Sequence, residues 1–401
     1  MRITDRIQSF VKEYWSPLLL TGALIGFSVW LQLAYEWSAM WLDEETWQGM
    51  LNLHLTWNPF AVRFFQSYST LALHQVFGIP VRESFFTVQF TLEMILGVTM
   101  YRYLCRLGFD RGWALVGVAL TFTAYPIMGA NFEPTHTWDD FWLYLFLVLT
   151  LLAALNRRPI AAAIYLTLAF FAREQAVLFY PLVLLILWWQ RDEVRLPRMI
   201  LPALLPPTAY GLFRVYKWEP IDPYRWQLFN DNFQNPGTTQ DSIVSILVCF
   251  GALWLLALLG LRATSQMKDV TSRRLLRWGM ATAVPLTTAV ALLFTFVRET
   301  RILFPSFVII VPLSLLFAQA TWKGTTHFRL SWLIGLLILT GLAVWACIPW
   351  AHRLFPLFAY GANAMFRRSL LGVHLGIALV CVVGLLIAGI SRRISRRREM
   401  S

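Results

Sequence analysis

The chain has 401 residues, of which 58% are hydrophobic and 14% are charged, and its formal net charge at pH 7 is +12. A soluble core cannot bury so much apolar surface, so the composition excludes an ordinary soluble domain and predicts a polytopic membrane protein. The positive charge does not indicate nucleic-acid binding, because the basic residues are concentrated in one set of connections between apolar stretches.

The polar connections between the apolar stretches alternate in charge along the chain. One set is basic and includes Arg102/Arg106/Arg111, Arg157/Arg158, Arg191/Arg195/Arg198, Arg273/Arg274/Arg277 and Arg392 to Arg398. The other set is acidic or mixed and includes Asp43/Glu44/Glu45, Glu133, Asp139/Asp140, Arg173/Glu174 and Arg298/Glu299/Arg301. Basic loops stay in the cytoplasm, so the acidic and mixed connections are predicted to share the extracytoplasmic face of the membrane.

These patterns predict an all-α fold, a single transmembrane domain over residues 1–401 with about twelve spans and both termini in the cytoplasm. The first apolar run, Ser16 to Tyr35, is too long for a signal-peptide core and is interpreted as a retained first span. Residues 391–401 are predicted to form a basic cytoplasmic tail. The sequence contains no Asn-x-Ser/Thr sequon, which favours a bacterial or archaeal inner (plasma) membrane.

The first outer loop, residues 36–83, is long and rich in aromatic residues. Trp47, Met50, Leu51 and His54 recur at the spacing of one helical face, as in an amphipathic helix that lies on a membrane. Pro59 is suited to open a second helix from Phe60 to Phe77, which Gly78 and Pro80 would end. The loop is therefore predicted to hold two interfacial helices packed over the bundle.

Two further segments depart from the usual pattern of spans and short loops. The apolar runs 159–172 and 175–190 are shorter than the roughly 20 residues that cross the hydrocarbon comfortably. The tip between them, Arg173-Glu174, is therefore expected below the outer surface, where charges need partners or a task. Residues 216–241 are irregular, with several Pro, Gly, Asn and Asp residues, and are predicted to form a mobile outer loop that covers a cavity.

Two acidic clusters carry the candidate chemistry. Asp43, Glu44 and Glu45 either complement the dipole of a helix that follows, or one of them, with Asp43 favoured, acts as a general base toward an acceptor hydroxyl. Asp139 and Asp140, with His136 nearby, either cap the next helix or form an acceptor or cation site through their oxygen atoms. No His/Cys metal box, Walker motif or dinucleotide fingerprint occurs, so a divalent cation such as Mg²⁺ or Mn²⁺ stays open and no other cofactor is indicated.

The arginines of the outer connections are the counterpart of these acids. Their planar guanidinium groups suit a lipid phosphate near the outer hydrocarbon boundary, and the alternative is internal pairing with neighbouring glutamates. The predicted phosphate-binding set is Arg63, Arg173, Glu174, Arg298, Glu299 and Arg301. A further acid, Glu93, lies within an apolar run four residues after Gln89, and is either functional or protonated or paired.

This layout resembles the GT-C superfamily of polytopic membrane glycosyltransferases. The likeness lies in the Trp41-Leu-Asp-Glu-Glu45 motif directly after the first span, the interfacial helices, and the segments Asn58 to Arg63 and Arg298 to Pro305. The resemblance implies a polyprenyl-phosphate-linked sugar as donor. It also implies that Asp43, or less directly Glu44, is the base or binds the acceptor, and that Asp139 or Asp140 is the second acidic site.

The predicted function is inverting transfer of a sugar to a hydroxyl of a glycan, lipid or protein acceptor at the extracytoplasmic face. Arg173, Arg298 and Arg301 would hold the donor phosphate, and surrounding membrane lipids would be the other partners. Two alternatives stay open: a polysaccharide polymerase or ligase that acts on lipid-linked glycan, and a transporter or lipid flippase.

Overall fold

The computed structural model of the chain describes residues 3–33, 39–56, 63–128, 130, 137–192, 196–217, 246–247, 249–294, 302–322, 342–343, 345–347 and 349. The described residues form α-helices and short 3-10 helices, with no strand among them, which confirms the all-α fold. Several expectations lie outside these ranges, namely those for His136, Arg298, Glu299, Arg301, residues 218–241 of the predicted mobile loop, and the tail 391–401.

Fourteen α-helices are used as reference points below. They are α1 Ile3–Leu33, α2 Glu44–Thr56, α3 Phe65–Phe77, α4 Val81–Arg106, α5 Arg111–Phe122, α6 Tyr125–Met128, α7 Asp140–Leu155, α8 Pro159–Ala172, α9 Tyr180–Trp188, α10 Leu196–Lys217, α11 Leu253–Ala263, α12 Val270–Ala281, α13 Ala283–Phe294 and α14 Phe307–Trp322. A 3-10 helix, Glu174–Phe179, joins α8 to α9.

Residues 36–83, the predicted first outer loop, contain two helices, α2 and α3, as the sequence pattern predicts. The apolar stripe of α2, however, packs against protein: Trp47 is fully buried, and its ring centroid lies 5.1 Å from that of Phe85 in α4. The second helix begins at Phe65, later than the predicted Phe60, and ends where Gly78 adopts a left-handed conformation with φ 66°. An apolar stripe shows which face of a helix is covered but not what covers it.

Helix α7 lies at the centre of the bundle. All of its residues except Trp142 and Leu149 are buried, as expected for a helix that is apolar on every side. It packs against α4 and α8. Its 16 residues span about 24 Å, which is the distance along the helix axis between the groups at its two ends.

The two ends of α7 differ in charge. Its N-terminal end carries Asp139 and Asp140, next to the Arg173-Glu174 junction that follows α8. Its C-terminal end meets Arg106, the last residue of α4, and is followed by Arg157 and Arg158. The basic and the mixed connections that alternate in the sequence therefore lie at opposite ends of this helix.

Two helical stretches in the described ranges are long and apolar enough to cross a membrane, Val270–Leu293 and Phe304–Thr321. Four shorter apolar stretches accompany them: Arg111–Phe122, Asp140–Leu155, Pro159–Ala172 and Glu174–Trp188. The core helices of soluble proteins pass the same test, and 72% of the Phe304–Thr321 window is buried inside the protein. The bundle of about twelve spans therefore stays a prediction.

Helices α11 and α14 approach closely at Gly260. A Cβ atom on Gly260 would overlap the backbone carbonyl of Leu313, which cannot turn away as a side chain could. We predict that Gly260→Ala lowers the free energy of unfolding by about 1–3 kcal/mol, because the two helices must separate to admit the methyl group. The midpoint of thermal unfolding of the purified protein measures this effect.

The matched control is Gly211→Ala in α10, where an added Cβ meets no heavy atom within 4 Å. Alanine favours a helix over glycine by about 1 kcal/mol, so the unfolding midpoint of Gly211→Ala should stay the same or rise. Equal effects of the two substitutions would contradict the close approach of α11 and α14.

Candidate functional site

The N-terminal end of α7 places two carboxylates inside the protein. Asp139 and Asp140 are each 2% exposed. Asp139 occupies the N-cap position of α7, yet its side chain makes no capping hydrogen bond to that helix. Its Oδ1 instead accepts a hydrogen bond of 3.1 Å from the backbone N–H of Gln66, in the first turn of α3. Asp139 therefore serves the N-terminus of a different helix, where a negative charge is favourable.

Asp140 is paired with Arg173. The Nη1 of Arg173 donates a hydrogen bond to the Oδ1 of Asp140, and the two side chains are 4% and 2% exposed. Arg173 follows the last residue of α8 in an extended conformation, which directs the chain from α8 into the 3-10 helix. The pair joins the end of α8 to the start of α7.

Glu174, the next residue, is paired with Arg63. The Nε of Arg63 donates to Oε2 of Glu174 at 3.2 Å and its Nη2 donates to Oε1 at 2.6 Å, a bidentate arrangement. Burial acts to lower the pKa of Arg63, but the charge and hydrogen bonds of Glu174, with a further contribution from Asp139, raise it above its usual value. The guanidinium is therefore charged, and it fixes the segment before α3 to the α8–α9 junction.

These five side chains, Arg63, Asp139, Asp140, Arg173 and Glu174, form one cluster, which we call the buried charge cluster. Asp139 lies within electrostatic range of Arg63, Arg173 and Glu174. The cluster contains three carboxylates and two guanidinium groups. When all five side chains are ionised, it carries one excess negative charge. A buried charge in excess is costly unless a proton, a cation or a hydrogen-bond donor compensates it.

Two oxygen atoms of the cluster have no hydrogen-bond donor among the described residues. The Oδ2 atoms of Asp139 and Asp140 are buried and accept no hydrogen bond in the part of the chain that the structure describes. A carboxylate oxygen in this position can accept a hydrogen bond from a hydroxyl or contact a cation. In the described ranges, no group of three or more His, Cys, Asp and Glu side chains is arranged to hold a metal ion.

Amide and indole groups hold the cluster in place. The Nε2 of Gln66 donates to the carbonyl of Phe85 at 3.3 Å, and its Oε1 accepts from the Nε1 of Trp142 at 3.1 Å. The Nε1 of Trp138 donates to the Oγ of Ser67 at 3.0 Å. These contacts hold Gln66 in the position from which its backbone N–H donates to Asp139. Gln66 and Trp142 were not predicted as site residues, because Gln66 stands among other polar residues of its segment and Trp142 within an apolar run, and neither belongs to a recognisable motif.

The first acidic motif, which begins at Asp43, makes no described contact with the buried charge cluster. Asp43 is exposed and caps α2, accepting a hydrogen bond of 2.8 Å from the backbone N–H of Thr46. Hydrogen bonds from the side chain and the backbone of Thr46 lower the pKa of Asp43. None of the hydrogen bonds or ion pairs described for Asp43 reaches the buried charge cluster.

Glu44 caps a second helix. Its Oε1 and Oε2 accept hydrogen bonds of 2.6 and 3.3 Å from the backbone N–H groups of Val81 and Arg82, in the first turn of α4. The other end of α2 is the one near the cluster, because the ring of His54 stacks on Trp138 with a centroid distance of 4.3 Å. Ten residues of helix separate Glu44 from His54, a distance of about 15 Å along the axis.

Comparison of the chain with protein-family models, with curated proteins and with solved structures found no match. The resemblance to the GT-C glycosyltransferases therefore rests on the sequence motifs. The resemblance implies roles for Asp43, Glu44, Asp139 and Asp140, and these roles are proposals.

Proposed function

We propose that this protein is a membrane glycosyltransferase that moves a sugar from a polyprenyl-phosphate donor to an acceptor hydroxyl, with inversion. The observation that carries the proposal is the buried charge cluster, whose two carboxylate oxygens Asp139 Oδ2 and Asp140 Oδ2 are able to accept hydrogen bonds. A glycosyl acceptor offers the matching group, a hydroxyl that must be oriented and must lose a proton.

The membrane orientation follows from the charges at the ends of α7. Basic residues collect near its C-terminal end and the mixed cluster lies at its N-terminal end. Since basic connections favour the cytoplasm, the cluster belongs at the extracytoplasmic face, where a lipid-linked sugar donor is presented.

In the proposed reaction the acceptor oxygen attacks the anomeric carbon of the donor sugar. The new C–O bond forms as the bond between the anomeric carbon and the lipid phosphate breaks. The phosphate leaves with the electron pair, and a carboxylate takes the proton of the acceptor hydroxyl. Attack opposite the leaving phosphate inverts the anomeric centre.

Two carboxylates compete for the role of base. The resemblance assigns it to Asp43, but hydrogen bonds from Thr46 lower the pKa of that exposed side chain and weaken it as a base. Asp139 is buried and keeps one oxygen that accepts no hydrogen bond from the described residues. We therefore favour Asp139 as the group that receives the acceptor hydroxyl.

The arginines divide into two groups in this proposal. Arg63 and Arg173 already neutralise Glu174 and Asp140, so their main task is to set the charge around Asp139. The lipid phosphate is then assigned chiefly to Arg298 and Arg301, which the sequence places in the same set of outer connections.

The first test compares Asp139→Asn with Asp43→Asn. Loss of the base is expected to lower kcat of Asp139→Asn by about 100-fold or more. Asn caps a helix about as well as Asp, so Asp43→Asn leaves α2 intact and is expected to keep kcat within a few-fold of the parent. Sugar transfer by the purified protein in vesicles, with a panel of polyprenyl-phosphate sugars, is the measurement.

Asp110→Asn is the matched control, since Asp110 caps α5 through the N–H of Trp113 and lies outside the cluster. A large decrease in the kcat of Asp43→Asn, with an unchanged unfolding midpoint, would identify Asp43 as the base. Normal transfer by both Asp43→Asn and Asp139→Asn would remove the acid/base assignment altogether.

The second test asks whether Arg63 holds Glu174 or the donor phosphate. Breaking the pair in Arg63→Gln or Glu174→Gln is expected to lower the free energy of unfolding by about 2 kcal/mol or more, because one charge stays behind in a largely buried site. The double variant Arg63→Gln/Glu174→Gln removes both charges and should recover most of that loss. Thermal unfolding of the four proteins gives the coupling between the two side chains.

The donor KM of the double variant separates the two roles. If Arg63 acts through Glu174, KM stays within a few-fold of the parent value. A tenfold rise in KM, with the unfolding midpoint recovered, would return Arg63 to the phosphate-binding set.

One observation favours the transporter alternative. Glu93 is 3% exposed in the middle of α4, where Gln89 is also buried one turn earlier, and ionisable groups at such positions often serve transport. Under the glycosyltransferase proposal, Glu93→Gln keeps the rate of glycan transfer within a few-fold. Movement of a lipid-linked substrate across vesicles without any glycan product, abolished in Glu93→Gln, would favour the transporter.

A further inference from the structure

A second charged site lies at the opposite end of the bundle from the buried charge cluster. An open cavity of about 340 Å³ lies between the interior of α1, around Glu13 and Tyr14, and the ends of α4, α5 and α7. The residues that matter for its chemistry are Glu13, Tyr14, Arg102, Arg106, Arg111 and Asn156. Three guanidinium groups and one carboxylate line this cavity, so its lining carries a positive charge.

Arg106 is a fixed part of the wall. Its Nε donates to Oδ1 of Asn156 at 2.9 Å, its Nη2 to the carbonyl of Leu155 at 2.7 Å, and its Nη1 to Oδ2 of Asp269 at 2.9 Å. The contact with Leu155 neutralises a carbonyl at the C-terminus of α7. The negative end of that helix dipole is therefore compensated and does not repel an anion in the cavity.

Arg102 and Arg111 provide the charge that can bind a ligand. Both are exposed, and no ion pair described for the chain uses either of them. The Cζ atom of Arg102 lies 5.7 Å from the ring centroid of Tyr14, which orients the guanidinium against an aromatic face. Arg111 is the first residue of α5, and the helix N-terminus beside it is capped by the carboxylate of Asp110, so the guanidinium of Arg111 itself is the charge offered to a ligand.

We infer that this cavity binds the phosphate of an anionic phospholipid headgroup. The inference rests on the membrane orientation of the proposed function, which puts this basic end at the cytoplasmic surface. Basic pockets between membrane helices on that side suit acidic headgroups. A volume near the lower limit of ligand pockets, about 300–1,000 Å³, fits a headgroup and leaves the acyl chains outside among the helices.

The position of the cavity gives the lipid a structural role. A phosphate between Arg102 and Arg111 would connect the C-terminus of α4 with the N-terminus of α5, beside α1 and the end of α7. It would also reduce the repulsion between two guanidinium groups that form no ion pair with the described residues. The bound lipid would thus hold the ends of α4 and α5 together beside α7, the helix whose opposite end carries the buried charge cluster.

The test uses the full-length protein in neutral detergent, titrated with phosphatidylglycerol or with phosphatidylcholine of the same acyl chains. The thermal unfolding midpoint and native mass spectrometry report binding. We expect the anionic lipid to bind more tightly and to raise the midpoint. In Arg102→Gln/Arg111→Gln its apparent Kd should rise by roughly 30-fold, as loss of two interfacial charges predicts.

Two further variants sharpen the result. Arg191→Gln/Arg262→Gln removes the same charge from exposed positions outside the cavity and should change Kd by less than twofold. Arg102→Lys/Arg111→Lys keeps the charge and should keep most of the preference for the anionic lipid. The site would be overturned if Arg191→Gln/Arg262→Gln lost as much affinity for the anionic lipid as Arg102→Gln/Arg111→Gln. Equal affinity of the parent protein for both lipids would also overturn it.

The source of the phosphate is tested with glycerol 3-phosphate and inorganic phosphate. If neither compound displaces the lipid at millimolar concentration, the result supports a site for the lipid headgroup. Saturation by glycerol 3-phosphate without lipid would overturn the lipid assignment in favour of a soluble phosphate. None of these measurements uses sugar transfer, so a chain that binds the lipid but transfers no sugar would lose only the proposed function.

Discussion

The structure depends on the pairing of Arg173 with Asp140. Both side chains are almost fully buried, and such a pair is tolerated only while both partners are present. The pair connects the end of α8 to the start of α7, and the bidentate contact between Arg63 and Glu174 extends the connection to the segment before α3. Residues far apart in sequence are thereby fixed around the same few atoms.

The pairing leaves Asp139 without a guanidinium of its own. Its Oδ1 is used by the backbone of Gln66, and its Oδ2 faces the protein interior without a described donor. A protein under selection for stability alone would replace such a carboxylate by a neutral group, because an uncompensated buried acid is costly. Its presence beside two completed ion pairs indicates that a proton, a cation or the hydrogen-bond donor of a ligand compensates its charge.

The proximity of these side chains, though not their role, could be anticipated from the sequence. Alternating charge in the connections assigns Arg63, Asp139, Asp140, Arg173 and Glu174 to one end of the bundle, and in the structure these five form one cluster. The partners within the cluster could not be predicted. Arg63 and Glu174 are separated by 111 positions, and neither helical periodicity nor loop charge carries information about which guanidinium meets which carboxylate.

The acidic motif before α2 shows a different limit. Asp43 and Glu44 fit both a catalytic and a capping interpretation in the sequence, and the structure uses them as caps of α2 and α4. Asp43 caps the helix that directly follows it, so its capping role could be predicted from the sequence. Glu44 caps α4, which begins 37 positions later, so its capping role could be identified only from the tertiary structure.

The length of α7 links the two charged ends. Its 16 residues cover about 24 Å, less than the roughly 30 Å of a bilayer core, so in the proposed membrane, with the basic end at the cytoplasmic surface, the acidic end lies below the outer headgroup level. At the outer end this depth favours burial of Asp139 and Asp140 among protein groups. At the inner end the exposed arginines lie within reach of the lipid phosphates. One short central helix thus explains why acids are enclosed at one end and guanidinium groups surround an open cavity at the other.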